Sequence, residues 1–131
     1  MVANPVLVDS SYYIDQLRQK RPLIRELLRI ASIRPLAVCG PIQCEVGRGI
    51  RVESLRNRLR TLWSSMLYVP TDNRIWANTE VLLWKLDRTG VIIPLTDGLI
   101  AECARRINAV VLTSDSHFQL IPGIVAVDRI V

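Results

Sequence analysis

A single domain of α/β layers is the fold class this sequence predicts, and three observations predict it. Half of the 131 residues are hydrophobic while only 5% are aromatic, so the core must be aliphatic. Short Val, Ile and Leu runs alternate with stretches whose apolar residues recur at helical spacing, the pattern that lays helices over a parallel sheet. Carboxylates stand where several of these runs give way to the next element. In such folds ligands collect beyond the carboxyl ends of the strands, where the loops diverge and helices point their amino ends.

Residues 5–9 (PVLVD) predict a first buried strand ending at Asp9, and YYIDQLRQ a first helix. Read alone, Asp9 is a helix N-cap; its place at a strand end admits a second reading as a metal ligand. Residues 22–33 predict a helix with a broad apolar face, opened by Pro22 at a tolerated early position. PLAVC (35–39) predicts a strand, broken at Gly40 and Pro41. A helix carrying Ile42, Glu45, Val46 and Ile50 is expected next, and it puts Glu45 near the apolar face. An acid there is costly unless paired or bound to metal. Pairing with Arg48 at the surface is the simpler alternative.

Residues 54–68 place Leu55, Leu59, Leu62, Trp63 and Met66 at helical spacing. Residues 73–89 do so for Ile75, Trp76, Thr79, Leu82, Leu83 and Leu86, with Gly90 as C-terminal cap. A helical hairpin is expected from the two. Val91–Pro94 is a short apolar run before a helix begun by Asp97 and carrying Leu99, Ile100, Cys103, Ala104 and Ile107. A β-branched run then stops at Asp115, and a last strand is expected at about 124–127. No repeat, linker or low-complexity tract divides the chain, so residues 1–131 read as one domain, long enough to bury a core without disulfides or structural metal.

No apolar run nears the roughly 20 residues that span a bilayer, and the first residues lack the pattern of a signal peptide. A cytoplasmic location is therefore expected. Cys39, Cys44 and Cys103 are odd in number, form no C-x-x-C pair and stand among apolar neighbours, which favours reduced, buried thiols. With His117 the only histidine, a histidine-rich metal site is excluded, and any metal should be hard and oxygen-ligated. The formal charge of +5 and pI near 9.6 imply attraction to polyanions. Arg48, Arg51, Arg56, Arg58 and Arg60 crowd one region. They form either a solvated helix face or a phosphate-contacting patch.

If the strands ending near Asp9 and Asp115 are parallel, both acids emerge at one edge of the sheet. Asp97 opens a helix at that edge, and Glu45 reaches it from its own helix. Four converging carboxylates repel one another unless cations fill the space between them.

The order and spacing of these acids resemble those of the PIN domain, and within it the VapC-like toxin ribonucleases of toxin-antitoxin pairs. The match begins at VLVDSS, passes through Glu45 and Gly49, and is closest in GVIIPLTDGLIAECARRINAVVLTSDSHFQLIPGI. The resemblance implies a PIN-like three-layer fold, with a central, mostly parallel sheet of four or five short strands flanked by helices. It implies that Asp9, Glu45, Asp97 and Asp115 bind Mg²⁺ or Mn²⁺ and hydrolyse RNA phosphodiester bonds, with Asp9 and Asp97 expected as the most direct contacts. Ser10 or Ser11 falls where the family often has a hydroxyl, and Ser10, Arg48, Arg51 and Arg56 are the expected nucleic-acid contacts. His117 departs from the family, many of whose members carry Asp or Asn there; a packing or turn-capping role is preferred for it. The implied substrate is a structured RNA such as transfer or ribosomal RNA. The implied partners are a small antitoxin whose tail covers the acidic groove and, in a homodimer, a second copy.

Three alternatives stay open: a PIN-like binding module without metal, a solitary RNA-processing nuclease, and a different metal-dependent phosphotransferase or DNA nuclease. No glycine-rich phosphate loop supports the phosphotransferase.

Overall fold

The structure, a computed structural model, describes residues 3–131. A sheet of five short strands forms its middle layer: β1 (Val6–Val8), β2 (Leu36–Cys39), β3 (Leu67–Val69), β4 (Val110–Leu112) and β5 (Ala126–Val127). The order across the sheet is β3-β2-β1-β4-β5, and every pair is parallel. The three inner strands are almost wholly buried, as expected where helices cover both faces of a parallel sheet.

Six helices connect the strands: α1 (Ser10–Arg18), α2 (Leu23–Ala31), α3 (Gly40–Gly47), α4 (Glu53–Ser64), α5 (Asn73–Arg88) and α6 (Leu95–Arg106). A 3-10 helix (Ser116–Leu120) lies between β4 and β5. The strand order reverses between β1 and β4, whose register pairs Val8 with Leu112. That reversal opens a crevice beyond the carboxyl ends of these two strands, the place where such sheets bind ligands.

Local chemistry sets the boundaries. Asp9 caps α1, accepting from the Ser11 amide, and Asp72 caps α5, accepting from the Ile75 amide at 3.0 Å. The Arg106 guanidinium grips the same Asp72 carboxylate with two hydrogen bonds, of 2.7 and 2.9 Å, tying the start of α5 to the end of α6. Near the start of α6, a side chain at Gly98 would meet Leu83 and Thr79 at 3.2 Å, so its lack of one lets α5 and α6 pack closely.

Four sequence expectations need correction. The helix expected over residues 54–68 ends at Ser64, where the Ser64 and Ser65 hydroxyls donate to the Thr61 and Leu62 carbonyls. Leu67, Tyr68 and Val69 turn into edge strand β3, which stands between α4 and α5 where a hairpin was expected. Trp76 lies outside the buried face of α5, leaving Ile75, Thr79 and Leu86 to form it. Cys44 is exposed, whereas Cys39 and Cys103 are buried as expected. Among the described residues, no helix is long and apolar enough to cross a membrane.

Candidate metal centre

The crevice at the β1/β4 reversal receives acids from three directions. Asp9 follows β1 directly and is 1% exposed. Its Oδ2 accepts from the Ser11 hydroxyl at 2.6 Å and the Thr113 hydroxyl at 2.9 Å, with the Ser11 amide at 3.3 Å. Thr113 comes one residue after β4, so its hydroxyl joins the two strand ends. It also accepts from the Asp115 amide at 2.9 Å, which fixes the turn that presents the Asp115 carboxylate. Ser10 is buried, and its hydroxyl donates to Glu45 Oε1 at 2.8 Å. Ser10, expected as a nucleic-acid contact, holds the α3 acid beside Asp9. Glu45 takes this contact in place of a pairing with Arg48.

Asp97 enters from α6, in the first turn of that helix, and is buried. Burial, followed by the charges of Asp115 and Asp9, pushes its carboxyl up to about 6 despite the opposing pull of His117. His117 Nδ1 sits 3.1 Å from Asp97 Oδ2 and 3.0 Å from Asp115 Oδ1. Partial burial disfavours the imidazolium, but the Asp115 charge and the hydrogen bonds to Asp97 and Asp115 outweigh it and raise the His117 pKa. Asp97, Asp115 and His117 each offer a ligand atom within 4.8 Å of the others. Asp9 and Glu45 lie beyond that triad, on the β1 side.

The site therefore has two halves at one sheet edge. His117 is the member that sequence reasoning set aside as packing or capping. Its backbone amide does bond to Asp115 Oδ1, at 2.9 Å, but its ring also meets two carboxylates. The signal was its spacing: a histidine two residues after an acid, in a tight turn, is carried back over that acid.

The arginines divide. Arg48, Arg56 and Arg60 line a groove between α3 and α4. Arg51 lines a different groove with Glu45, Arg18 and the apolar side chains Ile14, Leu17 and Val52.

The model of the PIN domain matches residues 6–124. The chain belongs to the PIN domain family. Solved structures agree on the fold. A chain of VapBC2 from Rickettsia felis, bound to a promoter DNA fragment, superposes with a TM-score of 0.76 at 17% identity, over 94% of this chain and 97% of that one. DNA-bound VapBC from Salmonella typhimurium gives 0.76 at 20% identity, over 95% and 98%. VapC20 from Mycobacterium tuberculosis, a toxin that cleaves the sarcin-ricin loop, gives 0.69 at 14% identity, over 95% and 99%. A search of curated protein sequences found no match. At these identities the likeness establishes a PIN fold shared with VapC toxins. Asp9, Asp97 and Asp115 are the acids this PIN domain brings to its switch point, with Glu45 attached through Ser10.

Proposed function

We propose that this PIN domain is a metal-dependent endoribonuclease, the toxin of a type II toxin-antitoxin pair, hydrolysing RNA phosphodiester bonds. The observation that carries the reading is the meeting of Asp97, Asp115 and His117 within 4.8 Å at the sheet's switch point, with Asp9 and Glu45 beside them. Carboxylate oxygens form a donor set that suits a hard divalent ion, Mg²⁺ or Mn²⁺. The elevated Asp97 pKa supports the fit: burial and two neighbouring acids leave its charge underpaid by the chain's own donors. His117 supports it too, because its Nδ1 occupies the gap between two carboxylates as a cation would.

Asp97 and Asp115 would hold the ion, with Asp9 and Glu45 completing the cage directly or through water. A divalent ion supplies Lewis-acid polarisation of the scissile phosphate and offsets charge developing on it. The chain does the rest. Ser11 and Thr113 clamp Asp9 through Oδ2, leaving Oδ1 only the long 3.5 Å contact with the Ser10 hydroxyl. Ser10 orients Glu45, placing a second acceptor able to hold an attacking water in line. The Thr113 hydroxyl fixes the Asp115 turn.

RNA substrate, antitoxin and a second copy complete the proposal, and the reducing cytoplasm is the setting for it. The groove of about 780 Å³ lined by Ile14, Leu17, Val46 and Val52 runs to Glu45 and suits an apolar antitoxin segment whose tail reaches the acids. Trp76 and Trp84, both exposed on α5, offer a surface for homodimer contact.

The test is Mn²⁺ binding by calorimetry, comparing the parent with folded Asp97→Asn. Saturable binding in the parent that is lost in the variant supports the site and justifies a search for the RNA. A parent freed of any antitoxin that binds no metal at millimolar concentration returns the chain to a PIN-like binding module.

A further inference from the structure

We infer that the groove between α3 and α4 binds the phosphodiester backbone of a single RNA strand, as a track beside the metal centre. The inference rests on the ribonuclease reading and gives that enzyme a surface for holding its substrate. The groove has a volume of about 600 Å³; Gln43, Cys44 and Arg48 form one wall, and Arg56, Arg60 and Trp63 the other.

Three guanidiniums face this space, and none of them forms an ion pair among the described residues. Elsewhere the fold shows how it uses an arginine for structure: Arg29, Arg105 and Arg106 each hold a carboxylate. Arg48, Arg56 and Arg60 instead share a groove whose lining holds no carboxylate, so an anion entering it would meet positive charge alone. Guanidinium forks match phosphate oxygens two at a time. Arg56 and Arg60 stand one helical turn apart, about 6 Å along the axis, a separation that serves successive phosphates of an extended strand better than one small anion.

The walls are firm. The Trp63 ring packs edge-on against Tyr13 with centroids 6.0 Å apart, and its indole N–H donates to the Tyr13 hydroxyl at 3.1 Å. That contact anchors the α4 wall to α1, the helix that starts at Asp9. The other wall is α3, which turns Gln43 and Cys44 to the groove and Glu45 to the acids. One helix, about 10 Å across, therefore separates the track from the reacting phosphate.

An acidic peptide would meet the same charges, but protein interfaces draw on buried apolar anchors seated in pockets. Trp63 is the one large apolar side chain here and is itself 5% exposed, so the groove offers such a partner little to grip.

Cys44 makes the test direct, because it lies in the groove and the other two thiols are buried. Alkylation by N-ethylmaleimide is followed in chelator, without divalent metal, so that no cleavage occurs. Saturating oligouridylate of about a dozen nucleotides is expected to slow Cys44 alkylation roughly fivefold or more, since access governs the reaction. In folded Arg56→Ala/Arg60→Ala the protection should vanish. The slope of log affinity against log salt should also shrink by about 1.4, two phosphate contacts at about 0.7 each. Bound oligouridylate that leaves alkylation unchanged, or a slope unaltered in the variant, overturns the inference. Polyglutamate that protects Cys44 where oligouridylate does not overturns it in favour of an acidic protein partner. RNA cleavage by the parent that survives in the variant with KM unchanged removes the track and keeps the nuclease. Protection of Cys44 in a parent that binds no Mn²⁺ keeps the track and removes the nuclease.

Discussion

Asp9 and Asp97 are both buried carboxylates at one sheet edge, yet the fold treats them differently. Asp9 is surrounded by donors belonging to the chain: the Ser11 and Thr113 hydroxyls and the Ser11 amide at 2.6, 2.9 and 3.3 Å, with the Ser10 hydroxyl at 3.5 Å. Asp97 faces Asp115, and its side chain is met by the His117 ring alone. Burial and the two acids raise its pKa to about 6. The first half of the site is preorganised and pinned by the fold, and the second half carries a charge that the protein by itself does not neutralise. A cation bound at the second half would relieve that charge, so function and stability oppose each other there and agree at Asp9.

Asp97→Asn separates the two halves most sharply. Removing the charge should lower RNA cleavage at least 10²-fold, the scale seen when an electrostatic stabiliser of the transition state is lost. Without metal, the same variant should be more stable than the parent by about 1–3 kcal/mol at pH 7.5, the equivalent of the raised pKa. Urea denaturation beside a cleavage assay checks both, and a destabilised Asp97→Asn would break the contrast.

At Asp9 the same reasoning predicts the reverse. Thr113→Val takes one hydroxyl from a buried carboxylate and one acceptor from the Asp115 amide. Stability should fall by about 1–3 kcal/mol, because a buried group loses its partner. Urea titration with and without Mn²⁺ should show this loss in both conditions, since the Asp9 clamp is made by the chain.

These contrasts were only partly legible in the sequence. β1, β2 and β4 could be read because each is a compact aliphatic run closed by a polar or breaking residue, and parallel pairing then required their ends to share an edge. β3 could not: Leu67 and Tyr68 are exposed on an edge strand, and their spacing continues that of Trp63 and Met66, which is the spacing of a longer helix. All four acids were visible as a set, but their division was not. Which carboxylate receives hydroxyls depends on the β1/β4 register, which sets Thr113 over Asp9, and a sequence does not print a register. His117 was undervalued because its two partners are 20 and two residues away and meet it only through the 3-10 turn.

The pH dependence of the metal-free protein sharpens the comparison further. Asp97 has an ordinary value of 3.8 and is raised to about 6 when folded, so the native state takes up a proton more readily than the unfolded one. Its contribution is least favourable near pH 7.5 and improves as pH falls toward 5. Below about 4 both states are protonated and the gain levels off. His117, also raised, stabilises below its ordinary 6.5 and loses that effect as pH rises through its folded value. Both groups tilt the same way. Stability measured in chelator should rise by about 1–2 kcal/mol from pH 7.5 to 5, and saturating Mn²⁺ should flatten or reverse the trend, because protons then compete with the ion.

The smallest effect is expected at His117 itself. With His117→Ala the two acids lose a donor that lies 39% exposed and is bonded through one ring nitrogen. If carboxylates dominate the hold on the ion, Mn²⁺ affinity should change by no more than about threefold, under 1 kcal/mol. The ring now opposes the rise in the Asp97 pKa, so its removal should move the acid-side stability transition to higher pH. Calorimetry and pH-dependent denaturation of one variant therefore answer different questions. A tenfold or larger loss of Mn²⁺ affinity would make His117 a ligand in its own right and turn the second half into a mixed nitrogen and oxygen site. An unmoved transition would show that the His117 ring does nothing to hold the Asp97 pKa down.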